Sequence, residues 1–176
     1  VLGLFELDAE EIDEILTVGM SMKKLLRQNI KKLPHLQGKS VTTLFYENST
    51  RTRCSFELAA KYMGAHVVNI MGGAPVLLAK TVKAHVVNAG DGMNEHPSQA
   101  LLDMLTMREN FGSLEGLTVA IMGDIRHSRV AKSNLFGLRK MGATVRMFAP
   151  STLMPTDIDK MGAVVCRSRE EAVEGA

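Results

Sequence analysis

Ser49, Thr50, Arg51, Thr52 and Arg53 alternate hydroxyls with guanidiniums directly after an apolar run, in FYENSTRTRCSFE. A helix start exposes unpaired backbone N–H groups and the positive end of its dipole. Hydroxyl donors and guanidiniums added there make a cradle for a tetrahedral anion such as phosphate. A plainer reading stays open on these residues alone, in which Ser49 or Thr50 caps the helix and the arginines are solvated. A second stretch, NAGDGMNEHPSQALLD, sets His96 just before Pro97, so its ring is held at the mouth of a helix as a neutral imidazole or an aimed N–H donor. Gln99 offers a donor and an acceptor beside it, and the two residues together suit a planar carbonyl carrying an amino group. The competing reading is a histidine near a helix start with Gln99 on a solvated face. The third stretch, MGDIRHSRVAKSN, has a single glycine after a strand, which is a poor dinucleotide fingerprint. Arg126, His127 and Arg129 instead fit a carboxylate or another small anion, with a charged connecting loop as the alternative.

All three stretches fall where a strand is expected to end and a helix to begin, which is where open α/β sheets collect ligands. From Asp8, DAEEIDEILTVGMSMKKLLRQ reads as an amphipathic helix, with Asp8 as N-cap, Glu11 three residues on, and Ile12, Ile15, Leu16 and Met20 on one face. SVTTLFY is expected as a buried strand, RTRCSFELAAKYMG as a helix closed by Gly64, and AHVVNIM as a strand of the continuous apolar kind found in parallel sheets. A short helix APVLLAKTVK, a strand AHVVNAG, a loop DGMNE and a helix from HPSQALLDMLTMREN follow. GSLEGL reads as a linker or boundary. Beyond it come a strand TVAIMGD, a helix from Arg129 to Gly142, a strand TVRMFAP, a helix over MPTDIDKMG, a strand AVVCRS and a helical piece REEAVEGA. This alternation predicts an α/β protein of two domains with parallel sheets flanked by helices, at 1–112 and 113–176. The second run stops after three strands, so the second domain is expected to be incomplete.

Composition narrows the function classes. The 176 residues are 45% apolar and 23% charged, ordinary for a globular chain with a real core. A formal net charge of +2 is too mild for a nucleic-acid partner, although a cleft can still be basic. Cys54 and Cys166 form neither a disulfide framework nor a metal cluster, which favours a reducing, cytoplasmic setting. No run reaches the roughly 18 apolar residues of a membrane span. The start lacks the order of a signal peptide, and because it opens on Val1 rather than Met the chain is expected to be part of a longer product. His35, His66, His85, His96 and His127 lack metal-ligand spacing, and no nucleophile elbow occurs. The 12 methionines read as packing residues.

FYENSTRTRCSFE, NAGDGMNEHPSQALLD and GDIRHSRVAKSN, in this order, closely resemble the aspartate carbamoyltransferases, which make carbamoyl aspartate from carbamoyl phosphate and aspartate in pyrimidine synthesis. The likeness extends over nearly the whole chain. The sister ornithine enzymes share the Ser-Thr-Arg-Thr-Arg and His-Pro-x-Gln elements, but NAGDG and GDIRHSR look like the aspartate branch. The resemblance implies that 1–112 binds carbamoyl phosphate and that 113–176 is part of an aspartate-binding domain. It implies that Ser49, Thr50, Arg51 and Thr52 hold the phosphate, that His96 contacts the carbamoyl oxygen, that Gln99 meets the amino group, and that Arg129 binds an aspartate carboxylate. Arg51, Thr52, His96 and Gln99 are then the catalytic group. No metal or organic cofactor is implied. The family's trimers imply a homotrimer or an assembly of trimers, and admit a regulatory chain or a dihydroorotase as partner.

Two departures from the family pattern stand out. Between VVNIMGG and APVLLAKTVK the family has a further stretch, with a mobile Ser and Lys loop that reaches a neighbouring subunit's site and an Arg that touches the carbamoyl oxygen. The family also continues past Ala176, through an Arg and Gln loop that grips aspartate. A segment is therefore expected to be missing between about Gly72 and Ala74, with flanking Cα atoms farther apart than a peptide link allows. If both gaps are real, binding of carbamoyl phosphate or phosphate is expected with little or no turnover. The alternatives are a catalytically inactive anion-binding or assembly paralogue or fragment, and an ornithine carbamoyltransferase.

Overall fold

The computed structural model describes residues 1–28, 32–45, 49–71, 80 and 82–176. The expected helix over APVLLAKTVK and the expected junction between Gly72 and Ala74 lie outside them, the helix all but for Lys80, Val82 and Lys83. The elements in chain order are α1 (Ala9–Arg27), β1 (Ser40–Phe45), α2 (Thr50–Tyr62), β2 (His66–Met71), α3 (Pro97–Phe111), β3 (Thr118–Met122), α4 (Arg129–Lys140), β4 (Thr144–Phe148), β5 (Val164–Val165) and α5 (Arg169–Val173). The molecule is an α/β protein with parallel sheets flanked by helices.

Helix α1 starts as its sequence dictates. The Glu11 N–H donates to Asp8 Oδ1 at 2.8 Å and the Asp8 N–H to Glu11 Oε2 at 2.9 Å, a reciprocal capping box that satisfies two otherwise orphaned donors. Ile12 and Leu16, one turn apart, are its buried residues.

The chain divides into two compact units, Met20–Val86 and a discontinuous one of Val1–Gly19 with Val87–Ala176. In the first, β1 and β2 pair in parallel, with Ser40 opposite His66 through to Phe45 opposite Met71, and α2 is the crossover between them. Thr43 Oγ1 bonds Asn69 Oδ1 across the pair, and Asn69 Nδ2 donates to Glu57 Oε2 of α2 at 3.0 Å, which pins helix to sheet.

The second unit carries a three-stranded parallel sheet in the order β3-β4-β5. Its core joins Leu4, Ile12 and Leu16 to Ala100 and Met104 of α3, Leu135 and Leu138 of α4, Val145 and Met147 of β4, and Ile158. Met104 and Met147 are fully buried, whereas Met93 and Met122 are exposed, so the methionines serve as packing only in part. These compact units do not follow the 1–112 and 113–176 division, because α3 buries its apolar face together with that of α4. GSLEGL is a tight turn rather than a linker, and its Leu114 is buried in the same core.

Two expected elements do not form. AHVVNAG is irregular rather than a strand: the Asn88 N–H donates to Val1 O at 2.8 Å, Asn88 Nδ2 donates to Leu2 O, and Asn88 Oδ1 accepts from the Gly90 N–H. An Asn side chain that bonds its own backbone two residues on supplies a turn in place of a ladder. MPTDIDKMG forms turns after a short 3-10 segment, Ser151–Leu153. Only Ile158 of it is buried, and Asp157 and Asp159 bond locally instead of propagating a helix.

Candidate functional site

The Ser49–Arg53 stretch opens α2, with Ser49 in the N-cap position and Thr50 as the first helical residue. The Ser49 side chain makes no capping hydrogen bond; its hydroxyl bonds Thr52 Oγ1 at 3.0 Å. The plainer reading, Ser49 as a simple cap, is not what the helix uses. The two hydroxyls lie on one side of the first turn, and Thr50 and Arg51 are exposed there. The positive end of the helix dipole, hydroxyls and a guanidinium gathered in one turn have the chemistry to hold an anion. Arg53 runs inward, and its Nε is buried with no hydrogen-bond partner among the described residues.

His96 is the N-cap of α3, and Pro97 follows where its missing N–H costs nothing. His96 Nδ1 accepts from the Gln99 N–H at 3.3 Å, with the Ser98 hydroxyl also at 3.3 Å. In a neutral imidazole with Nδ1 as acceptor, the proton resides on Nε2, so the ring carries an N–H donor there. The backbone behind it is held equally firmly. The His96 N–H donates to Ser133 Oγ at 2.9 Å, and that hydroxyl donates to Glu95 Oε2 at 3.0 Å. The same carboxylate oxygen accepts the Leu4 N–H at 2.8 Å. Glu95 is buried, and a Cβ on Gly3 would run into its carboxylate, so any side chain there would displace it.

Gln99 turns its amide nitrogen to Asp103 Oδ1 at 2.8 Å, one helical turn on, and Asp103 Oδ2 accepts from Asn134 Nδ2 at 2.8 Å. Arg129 stands at the start of α4, whose N-cap Ser128 accepts from the Ala131 N–H at 3.1 Å. Arg129 Nη1 donates to Gly92 O at 3.1 Å, and Lys132 Nζ to Met93 O at 3.2 Å, so α4 grips the DGMNE turn from one side. Gly90 shows how close the neighbours are. A Cβ there would meet Arg129 Cζ at 3.2 Å and His96 Cδ2 at 3.3 Å, and its φ of +126° also disfavours any side chain. His96 and Arg129 are thus brought together around Gly90, with Gln99 tied to His96 through its backbone N–H, whereas the Ser49–Arg53 turn belongs to the other compact unit.

Arg126 and His127 are committed elsewhere. Arg126 Nη1 donates to Thr152 O at 3.2 Å, and His127 pairs with Asp124, ring Nδ1 to Oδ1 at 3.0 Å. The backbone N–H of His127 is the main cause that holds the Asp124 carboxyl below the usual aspartate range; burial opposes it, and the His127 ring and the Arg126 charge lower it further. Glu95, Asp103, Ser133, Asn134 and Gly90 are site-forming residues that motif reading passes over. Only the Gln99-to-Asp103 spacing of one helical turn signals any of them in sequence.

The family model described as the aspartate/ornithine carbamoyltransferase carbamoyl-P binding domain matches residues 1–76 and 72–109. The aspartate carbamoyltransferase catalytic subunit of Acetivibrio thermocellus is 52% identical over 206 residues, covering 98% of this chain and 66% of its own. That alignment is longer than this chain, so the relative holds residues inside it that this chain lacks. Among solved structures, the catalytic subunit of M. jannaschii aspartate transcarbamoylase matches with a TM-score of 0.85 and 28% identity, over 99% of this chain and 70% of that one. The Trypanosoma cruzi aspartate transcarbamoylase in complex with aspartate and phosphate matches with a TM-score of 0.81 and 28% identity, over 96% of this chain and 67% of that one. Spanning about two thirds of the length of these relatives, the chain belongs to the aspartate/ornithine carbamoyltransferase family.

Proposed function

We propose that this protein serves the transfer of a carbamoyl group from carbamoyl phosphate to the amine of L-aspartate, giving N-carbamoyl-L-aspartate and phosphate, a step of pyrimidine biosynthesis. The observation that carries the reading is the convergence at Gly90 of the His96 imidazole, with its donor on Nε2, and the Arg129 guanidinium, with Gln99 bonded to His96 one turn into the same helix. In this reading Ser49, Thr50, Arg51 and Thr52 bind the phosphate, Gln99 meets the carbamoyl amino group, and Arg129 takes a carboxylate of aspartate. The amine attacks the carbonyl carbon while fixed donors, the His96 ring among them, stabilise the oxygen that becomes an oxyanion. Phosphate then leaves and accepts the amine proton. A well-aimed donor to such an oxyanion contributes about 3–4 kcal/mol. Positioning and charge stabilisation suffice for this chemistry without a metal or organic cofactor.

The match of the carbamoyl-P binding model to residues up to 109 supports 1–112 as the carbamoyl phosphate domain, and 113–176 is then read as part of the aspartate domain. A cytoplasmic homotrimer, or a larger assembly of trimers open to a regulatory or dihydroorotase partner, completes the reading. No described helix is long and apolar enough to cross a membrane.

The test is calorimetric binding of inorganic phosphate and carbamoyl phosphate, followed by product formation with aspartate or ornithine. Both anions are expected to bind, with affinity falling at least about tenfold in Arg51→Ala. Where turnover occurs, aspartate is the expected acceptor, and His96→Ala should lower it about 10²- to 10³-fold. Binding without product identifies an anion-binding fragment, product from ornithine alone overturns the acceptor, and absence of anion binding overturns the whole reading.

A further inference from the structure

Asp103 lies one turn beyond Gln99 on α3 and holds two amides at once. Gln99 Nε2 donates to its Oδ1 and Asn134 Nδ2 to its Oδ2, both at 2.8 Å. An ionised carboxylate only accepts, so each amide must present its nitrogen to it. For Asn134, which is 6% exposed, this has a visible consequence: its Oδ1 is buried with no hydrogen-bond partner among the described residues. The demand of Asp103 for a donor therefore decides that amide's orientation even though the other end goes unsatisfied. Gln99 is under the same demand. With its nitrogen fixed on Asp103, the end it keeps for a ligand is Oε1, an acceptor.

We propose that Asp103 is a positioning residue that sets acyl-group specificity, by holding Gln99 through its nitrogen so that the amide meets a ligand as an acceptor. The site then takes an acyl phosphate whose acyl carbon bears an amino group and discriminates against one bearing a methyl group, which would leave Oε1 without a donor. Asn134, reaching in from α4, fixes the second oxygen and keeps the carboxylate from rotating away. The inference rests on the reading above that Gln99 meets the carbamoyl amino group.

The test compares binding of carbamoyl phosphate, acetyl phosphate and inorganic phosphate by the full chain and by Asp103→Asn, a near-isosteric change that frees Gln99 to turn over. The unmodified protein is expected to prefer carbamoyl over acetyl phosphate about tenfold or more. In Asp103→Asn that preference should fall to within about twofold, while inorganic phosphate binds as before. Should that variant not fold, Asn134→Ala removes the second hold on the carboxylate and is expected to erode the same preference part of the way. A preference that survives the substitution overturns the proposal. So does a parallel loss of all three ligands, which marks a merely structural role. Unmodified protein that binds phosphate without preferring carbamoyl phosphate overturns the reading of Gln99 itself, a result distinct from the other two.

Discussion

Asp124 illustrates how one exposed carboxylate can organise the loop between a strand and a helix. It accepts the His127 N–H at 3.1 Å and the His127 ring at 3.0 Å, and it ends the strand segment that leads to Arg129. Its folded value is depressed, so its contribution is fully present above the ordinary aspartate value and is lost as pH falls through the lower folded one. Titration followed by the carboxyl carbon resonance should give a midpoint below that of an unstructured aspartate. His127→Ala should raise this midpoint only part of the way, because the largest cause is a backbone N–H that the substitution leaves in place. A midpoint at the ordinary value would contradict this account. Individual side chains were legible in the sequence where their partners are local. The Asp8 and Glu11 capping box follows from spacing alone, and the placing of His96 at a helix mouth follows from Pro97. Glu95 was not legible in the same way, because its partners Leu4 and Ser133 come from distant stretches, and of Asp103 only the pairing with Gln99 was, not that with Asn134.

Helices α3 and α4 meet through a glycine. A Cβ on Gly137 would fall 2.7 Å from Met104 Cε and 2.8 Å from Leu4 Cδ1, closer than real contacts allow. Gly137→Ala adds helix propensity worth about 1 kcal/mol, but overpacking in a tight core costs about 1–3 kcal/mol. Net destabilisation is the expected outcome in chemical denaturation, together with a loosened hold of Ser133 and Asn134 on the site. Stabilisation would mean that Met104 swings aside at little cost. Apolar periodicity and the capping box made α1 readable from residues alone, while Gly64 marked the end of α2 and Pro97 the start of α3. AHVVNAG was not, since its valines suggest a strand while Asn88 bonds into a turn and Val87 is left 56% exposed. In MPTDIDKMG a single buried Ile158 is too small an anchor to impose a helix on two aspartates.

Lys140 gathers the discontinuous compact unit. Its ammonium donates to the carbonyls of Leu4 and Phe5 at 2.7 Å and of Leu7 at 2.5 Å, using all three of its hydrogens on one turn of the N-terminal segment. It also lies 5.7 Å from the centre of the Phe5 ring. Lys140→Met keeps the aliphatic stem but strands those carbonyls, and is expected to cost about 1–3 kcal/mol in thermal or denaturant unfolding. An unchanged midpoint would show that water replaces the ammonium without loss. The alternation of strands and helices gave the α/β class, but composition gave no hint that residues 1–19 belong with 87–176. The three carbonyls around Lys140, the burial of Leu4 and the bonds of Asn88 and Glu95 to residues 1–4 reveal that. The same contact has a consequence in time. Leu4 and Lys140 are separated by 136 positions, so during synthesis the beginning of the chain leaves the ribosome on the order of ten seconds before its partner exists. Through that interval the apolar Leu4, Ile12 and Leu16 have no core to enter, and a nascent-chain chaperone has its clearest opportunity to bind there.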